Sequence, residues 1–312
     1  MATAVKSGST DKLTQAFSTA QNSMTAQADG YKAQAFEPRN LATYFLIVFG
    51  LQALAYGLLI AGVLKMPTVD GPAALLEDPR LIILTLAAWG PIIAAFLVTA
   101  LSEGKPGVRG LWRRFWNRNM SIKWLLVTLL ILPATQLAAN LVTRLMDGQP
   151  YPIFFSYDPA WSIIPMFIMA FIFNGMFEEF GWRGYVLPRF QARWNALASS
   201  LILGVIWAAW HFGQWFVPGS NLYQRNFWLW SLGTILLSIT MTWIINNTKG
   251  SVLAASLFHG MINTGTFWFQ LDWRYYGIEL LAVILIVIIF GPKNLIRQKP
   301  VRAEILATSK VT

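Results

Sequence analysis

The sequence predicts an all-α membrane protein: a polytopic helix bundle of about eight transmembrane helices, with both termini in the cytoplasm. Three observations predict this fold class. Of the 312 residues, 55% are hydrophobic and only 12% are charged, whereas soluble domains average about 25% charged residues. Several apolar runs are long enough to cross a bilayer. The basic residues are concentrated on one side of these runs.

The Trp content, the net charge and the absence of Cys indicate which partners and which chemistry to expect. Its 15 Trp residues are typical of a protein anchored at two membrane–water interfaces. The net charge of +10 then indicates anionic lipid headgroups rather than nucleic acid as the partner. No Cys is present, which excludes disulfides and thiolate chemistry.

Eight apolar runs are candidate spans, since a span needs roughly 20 mostly apolar residues. The fourth run meets charged residues after Phe177, but Pro188 is its first stop signal, so we predict one long helix. The eighth run is short and contains Glu279 near its start. The runs are Leu41–Leu64, Leu81–Leu101, Trp124–Val142, Trp161–Leu187, Ala196–Phe216, Phe227–Ile245, Val252–Leu271 and Tyr275–Phe290.

The distribution of Lys and Arg predicts the topology. On the side of the N-terminus lie 19 of the 24 basic residues, and five lie on the other side. This asymmetry indicates that both termini are cytoplasmic and that the number of spans is even. Short loops leave no room for a soluble module and are typical of a multi-pass protein of a prokaryotic cell membrane.

Three regions follow from this organisation. Residues 1–36 form a polar and flexible cytoplasmic tail, for which a weak interfacial helix is the alternative. Residues 37–292 form the membrane-embedded domain, with a catalytic core at about 160–270. Residues 293–312 form a basic cytoplasmic tail. Between the second and third spans, Trp112, Arg113, Arg114 and Trp116 indicate a surface helix on the headgroups or simply the charge that sets the topology.

The fourth run carries the first polar motif, which contains Glu178, Glu179 and Arg183. Residues four apart share a face of a helix, so Glu179 and Arg183 can pair. Glu178 is rotated by about 100° from Glu179 and cannot share that pairing easily. One carboxylate is then structural, and the other is available for proton transfer. The alternative is an interfacial charge cluster where the helix leaves the membrane.

The only two His residues lie in later spans, each with a partner at helical spacing. Trp207 precedes His211 by four residues, and Asn263 follows His259 by four. His259 and Asn263 can both donate hydrogen bonds to one acceptor, as an oxyanion hole requires. Taken singly, each His has a structural alternative: a buried residue bonded to a carbonyl, or a link between helices.

Together, the three motifs resemble those of the CPBP intramembrane proteases, also called the type II CAAX prenyl endopeptidase or Abi family. The resemblance covers roughly residues 160–270, and Trp207 stands where Phe is commoner. It implies hydrolysis of a peptide bond in the membrane, with Glu178 as general base to a water molecule and His211 holding that water. His259 and Asn263 would stabilise the oxyanion, while Glu179, Arg183 and Trp207 would support the site.

The resemblance leaves the metal dependence and the substrate open. Two His and two Glu could bind zinc, but no His precedes a Glu as in the helical zinc-protease motif, so we favour a site without a cofactor. A peptide or a membrane protein is the expected substrate, prenylated or not. The alternatives are a non-proteolytic scaffold or immunity protein of the same fold, and a proton-coupled carrier.

Overall fold

The computed structural model describes residues 35–67, 78–116, 120–148, 160–265 and 273–297. Of the predicted tails, only residues 35–36 and 293–297 fall within these ranges, and the alternative interfacial helix near the N-terminus lies outside them. Within the described ranges the chain forms helices and no strand. They are α1 Pro38–Ile60, α2 Ile82–Ala88, α3 Gly90–Phe115, α4 Ile122–Asp147, α5 Ile163–Gln191, α6 Ala196–Trp210, α7 Phe227–Asn247, α8 Val252–Gly265 and α9 Trp273–Phe290.

The predicted helical membrane bundle is confirmed. In the described ranges, six helices are long and apolar enough to cross a bilayer: α1, α4, α5, α6 with its extension to Phe216, α7 and α9. A seventh span arises if α2 and α3, which meet at Trp89 with a bend of 69°, cross the membrane together. The chain is therefore a multi-pass membrane protein. The cytoplasmic position of both termini stays a prediction.

The seventh predicted span, Val252–Leu271, corresponds to the short helix α8, Val252–Gly265, which has 14 residues. At 1.5 Å per residue it is about 21 Å long, less than the roughly 30 Å of a hydrocarbon core. Residues 266–271, the end of the predicted run, lie outside the described ranges. The count of eight therefore stays a prediction, with α8 as the element that decides it.

The exposure of side chains is inverted relative to a soluble protein. Leu101, Trp228 and Ile288 are 77%, 79% and 73% exposed on the outside of the bundle, whereas Arg183 and Glu179 are 1% and 0% exposed inside it. Apolar side chains facing outward have no energetic penalty when lipid surrounds them, and ionisable groups inside a membrane face the interior of the bundle. The packing thus agrees with lipid as the surrounding solvent.

Helix α5 runs through Pro188 to Gln191, three residues beyond the predicted stop. Proline lacks a backbone N–H, so the carbonyl four residues earlier loses its helical donor. That carbonyl belongs to Gly184, and the Arg114 guanidinium from α3 donates to it. The replacement donor explains how the helix continues, and it joins α3 to the helix that carries the paired Glu residues.

Helix α3 contains a break at Gly104, where φ is 65° and ψ is −158°. This backbone conformation is essentially restricted to glycine, so the position of Gly104 in the sequence determines where the helix changes direction. Residues 105–115 then form a second leg that carries the basic and aromatic residues of the predicted surface helix. Its Leu111 and Phe115 are buried, so one side of this leg packs on the bundle.

The boundaries of α6 and α7 follow from side-chain caps. Asn195 accepts a hydrogen bond from the backbone N–H of Ala198 at 2.8 Å, and Asn226 accepts one from Leu229 at 3.0 Å. Both are N-caps of the kind that satisfies the free amides of a first turn. α6 ends at Trp210, and His211 is the residue that closes it. The caps thereby determine where the Trp207 and His211 side chains lie.

Candidate active site

The paired carboxylates lie on an irregular part of α5. The α-helical turn Phe177–Glu179 is flanked by two π-helical stretches, Ala170–Met176 and Phe180–Val186. π-turns widen the helix and occur frequently at functional sites. The i, i+4 relation between Glu179 and Arg183 nevertheless survives, because their side chains pair at 3.1 Å. The pairing expected from their spacing is therefore present.

Two glycine residues, one on each helix, let α8 pack closely against this part of α5. Gly175 lies where a side chain would collide with the carbonyl oxygen of Ser256, and Gly260 packs against the backbone of Phe171. Glycine at a crossing lets two helix backbones approach closely. Since Glu179 is four residues after Gly175 and His259 is three after Ser256, the same crossing brings these two side chains together.

Glu179 is the central acceptor of the cluster. Its Oε1 accepts from Arg183 Nη1 at 3.1 Å and from His259 Nδ1 at 2.7 Å. The side chains of Glu179 and Arg183 are both 0% exposed. A carboxylate that binds one imidazole nitrogen fixes the ring orientation and leaves the other nitrogen to face the site. Glu179 therefore positions His259 in addition to pairing with Arg183, a contact that the spacing alone did not predict.

Glu178 faces the other side of the same imidazole. Its Oε1 lies 3.9 Å from His259 Nε2, beyond hydrogen-bonding distance. Its Oε2 accepts from the indole Nε1 of Trp207 at 2.8 Å. Glu178 is thus held by one bond, while one oxygen and one imidazole nitrogen face each other at a separation that a bridging water could span.

Trp207 connects the parts of the cluster. Besides donating to Glu178, its ring lies 4.4 Å from the guanidinium carbon of Arg183, a cation–π contact. Its ring centroid is 5.4 Å from that of His259 and 6.1 Å from that of His211. The sequence identified Trp207 only as an aromatic neighbour of His211. Its N–H bond to a carboxylate 29 residues away has no signature in the sequence.

His211 is adjacent to the cluster but forms no hydrogen bond with Glu178 in the described part of the chain. Its Nδ1 is 2.8 Å from the carbonyl oxygen of Trp207, one turn earlier. Trp210 and Trp230 pack on its ring at centroid distances of 4.7 and 4.9 Å. His211 therefore contacts Trp207, the residue that donates to Glu178.

Asn263, the last predicted site residue, lies one turn after His259 on α8 and is half-buried. The structure thus brings Glu178, Glu179, Arg183, Trp207 and His259 into one connected cluster, with His211 and Asn263 next to it on α6 and α8.

A metal ion at this site would need several of these His and Glu side chains as ligands. Within the described ranges, no three His, Asp or Glu side chains are arranged to hold a metal ion. His259 Nδ1 and Glu179 Oε1 bond to each other, and Glu179 also neutralises Arg183. Zinc sites in proteins need three or four ligands, and the described residues supply no such set at this cluster.

The sequence of the region that contains this cluster is similar to that of known proteins. The sequence model described as type II CAAX prenyl endopeptidase Rce1-like matches residues 160–265, which contain α5 to α8 and every predicted site residue. The curated protein CAAX prenyl protease 2 of Methanococcus maripaludis is 27% identical in an alignment over 182 residues that covers 55% of this chain and 67% of that protein. Both comparisons support a CAAX-type intramembrane endopeptidase. The resemblance of the chain to the CPBP family, the type II CAAX prenyl endopeptidases, is thereby confirmed over the residues that carry its motifs.

Proposed function

We propose that this protein hydrolyses a peptide bond within the membrane by means of a water molecule activated by Glu178. The observation that carries the proposal is the facing pair of Glu178 Oε1 and His259 Nε2, 3.9 Å apart. Each group is held by a hydrogen bond at its other polar atom: Glu178 Oε2 accepts from Trp207, and His259 Nδ1 donates to Glu179. A general base needs such a defined position near the proton that it removes.

The proposed reaction begins with water between Glu178 and the scissile carbonyl. Glu178 takes a proton from the water, the oxygen bonds to the carbonyl carbon, and the carbonyl oxygen becomes an oxyanion. The C–N bond then breaks, and Glu178 returns the proton to the departing amine. His259 Nε2 and Asn263 are the proposed oxyanion donors, and His211 helps to hold the water.

The charges of the cluster suit this sequence. With His259 as an imidazolium, two carboxylates balance one guanidinium and one imidazolium. When Glu178 accepts the proton, one negative charge disappears there and one appears on the oxyanion. The charge therefore moves between two positions next to His259, and the net charge of the site does not change. Fixed opposite charges at the place where charge develops are the main source of such catalysis in a site without bulk water.

The matched variants Glu178→Gln and Glu279→Gln test the proposal, because both replace a buried carboxylate by an isosteric amide. Membranes containing the intact chain, or either variant at equal abundance, are compared for new protein termini by mass spectrometry. We expect the same termini from the intact chain and Glu279→Gln, and their loss with Glu178→Gln. The same termini in all three samples would show that Glu178 is not the base.

A cleavage assay with the purified protein measures how far kcat falls. The probe is a quenched fluorescent peptide that ends in a prenylated CAAX sequence, since the curated relative is a CAAX prenyl protease. Losing the general base is expected to lower kcat by about 10²–10⁴-fold. Thermal unfolding of Glu178→Gln within a few degrees of the intact chain confirms that the variant is folded. A non-proteolytic scaffold would leave the peptide uncleaved even by the intact chain.

A further inference from the structure

The break at Gly104 creates a cavity apart from the carboxylate cluster. Its volume is ≈ 680 Å³, within the range of about 300–1,000 Å³ that is usual for small-molecule sites. The cavity lies in the angle between the two legs of α3. Its walls are Phe96 and Ala100 from the first leg, and Lys105, Val108, Arg109 and Trp112 from the second.

The two cations of this cavity have no carboxylate partner in the described part of the chain. Glu103, the acidic residue closest to them in sequence, pairs with Arg189 at 2.5 Å. Lys105 and Arg109 are both exposed, and they form no ion pair within the described ranges. Two positive charges are therefore left at the cavity without internal compensation, which favours an anionic occupant.

The remaining walls are apolar and continue into the lipid-facing surface. Leu97 and Leu101, which neighbour the cavity residues on the first leg, are 45% and 77% exposed. Trp112 is 45% exposed, as is typical of an indole at the membrane–water interface. Its ring stacks on Phe180 at a centroid distance of 5.6 Å and an angle of 5°. The wall is thereby fixed in place by the helix that carries the paired Glu residues.

We propose that this cavity binds an anionic phospholipid, with the phosphate between Lys105 and Arg109 and an acyl chain along Phe96 and Ala100. A basic mouth alone would fit any phosphate. The apolar leg that leads from it to the lipid-facing surface fits a phosphate attached to hydrocarbon. The site does not depend on the proposed cleavage reaction.

Lipid binding to the purified full-length chain tests this site. The protein in a neutral detergent is titrated with phosphatidylglycerol, phosphatidylcholine or inorganic phosphate, and bound lipid is resolved by native mass spectrometry. We compare Lys105→Gln/Arg109→Gln with Arg113→Gln/Lys123→Gln, which removes the same charge from exposed positions that do not line the cavity.

Each basic residue near an anionic lipid surface strengthens binding by about fivefold. The cavity variant is therefore expected to bind phosphatidylglycerol about 25-fold more weakly at the tightest site, and the control variant within twofold of the intact chain. Phosphatidylcholine should bind the intact chain more weakly than phosphatidylglycerol. An equal loss in both variants, equal binding of the two lipids, or competition by millimolar phosphate would each overturn the proposed lipid site.

Discussion

In the part of the chain that the structure describes, two places bury carboxyl groups, and they differ in what surrounds them. At the first, Glu178 and Glu179 are 5% and 0% exposed and lie among a guanidinium, an imidazole and an indole N–H. At the second, Glu279 on α9 is 3% exposed and forms no ion pair within the described ranges. Both sites lie in membrane-spanning helices, so burial alone does not distinguish them.

The surroundings of Glu279 are mostly apolar. It lines a small cavity of ≈ 10 Å³ together with side chains that include Leu132, Leu237 and Phe258, about the smallest space that holds one water molecule. Tyr275 lies one turn earlier on the same helix and interacts with it. Nothing there combines a base with a second group that faces it.

The comparison shows which feature makes a buried carboxylate a candidate for chemistry. A charge inside a membrane must be offset, and removing one member of a buried pair leaves the other uncompensated. Glu179 pairs with Arg183 and also orients the His259 imidazole, whose other nitrogen faces Glu178. Around Glu279, the described residues include the Tyr275 hydroxyl but no imidazole and no second carboxylate. The arrangement of partners therefore separates the two sites, and three substitutions test that distinction.

The largest expected effect is on stability, from Arg183→Met. It leaves Glu179 without its guanidinium partner, both side chains being fully buried. Breaking a buried pair on one side costs about 3–5 kcal/mol, so we expect a lower free energy of unfolding and loss of cleavage together. Denaturant titration in detergent, followed by Trp fluorescence, measures it against the exposed control Arg113→Met. Equal stability of the two variants would mean that the cluster resembles Glu279 more than we infer.

A smaller effect is expected from Trp207→Phe, which keeps the ring but removes the donor to Glu178. Hydrogen bonds to charged groups contribute about 1.5–3 kcal/mol, so kcat should fall about ten- to hundredfold while KM stays within twofold. The matched control is Trp210→Phe on the same helix, whose indole N–H has no hydrogen-bond partner in the described part of the chain. If kcat fell equally in both variants, the bond to Glu178 would have no special role.

The smallest effect is expected from Glu279→Gln. The amide retains the shape and hydrogen-bonding capacity of the carboxyl, and no buried cation loses a partner. The free energy of unfolding should therefore change by no more than about 1 kcal/mol, with cleavage intact. Denaturant titration and the peptide assay check both. A strong loss of activity would identify Glu279 as part of the reaction and remove the contrast between the two sites.

Much of the fold could be predicted from local patterns. Apolar runs of sufficient length predicted the helices, because lipid-exposed backbone must satisfy its own hydrogen bonds. The pair of Glu179 and Arg183 was predictable from spacing, because both residues belong to one helix. The continuation of α5 through Pro188 was not predictable from spacing. Arg114, which donates to the Gly184 carbonyl in place of the missing proline N–H, lies 70 residues before Gly184. The bend of 69° between α2 and α3 does have a signal, Gly90 and Pro91, which our prediction of one continuous run from Leu81 to Leu101 passed over.

The sequence by itself determined that the chain is a helical membrane protein and which polar residues had to be placed inside it, since hydrophobicity and helical spacing are local properties. Only the tertiary structure decided that His259 bonds to Glu179 and faces Glu178, and that Trp207 holds Glu178. These contacts depend on how closely helices cross and on the direction of each side chain. Such quantities arise from packing between distant segments, and no single segment encodes them.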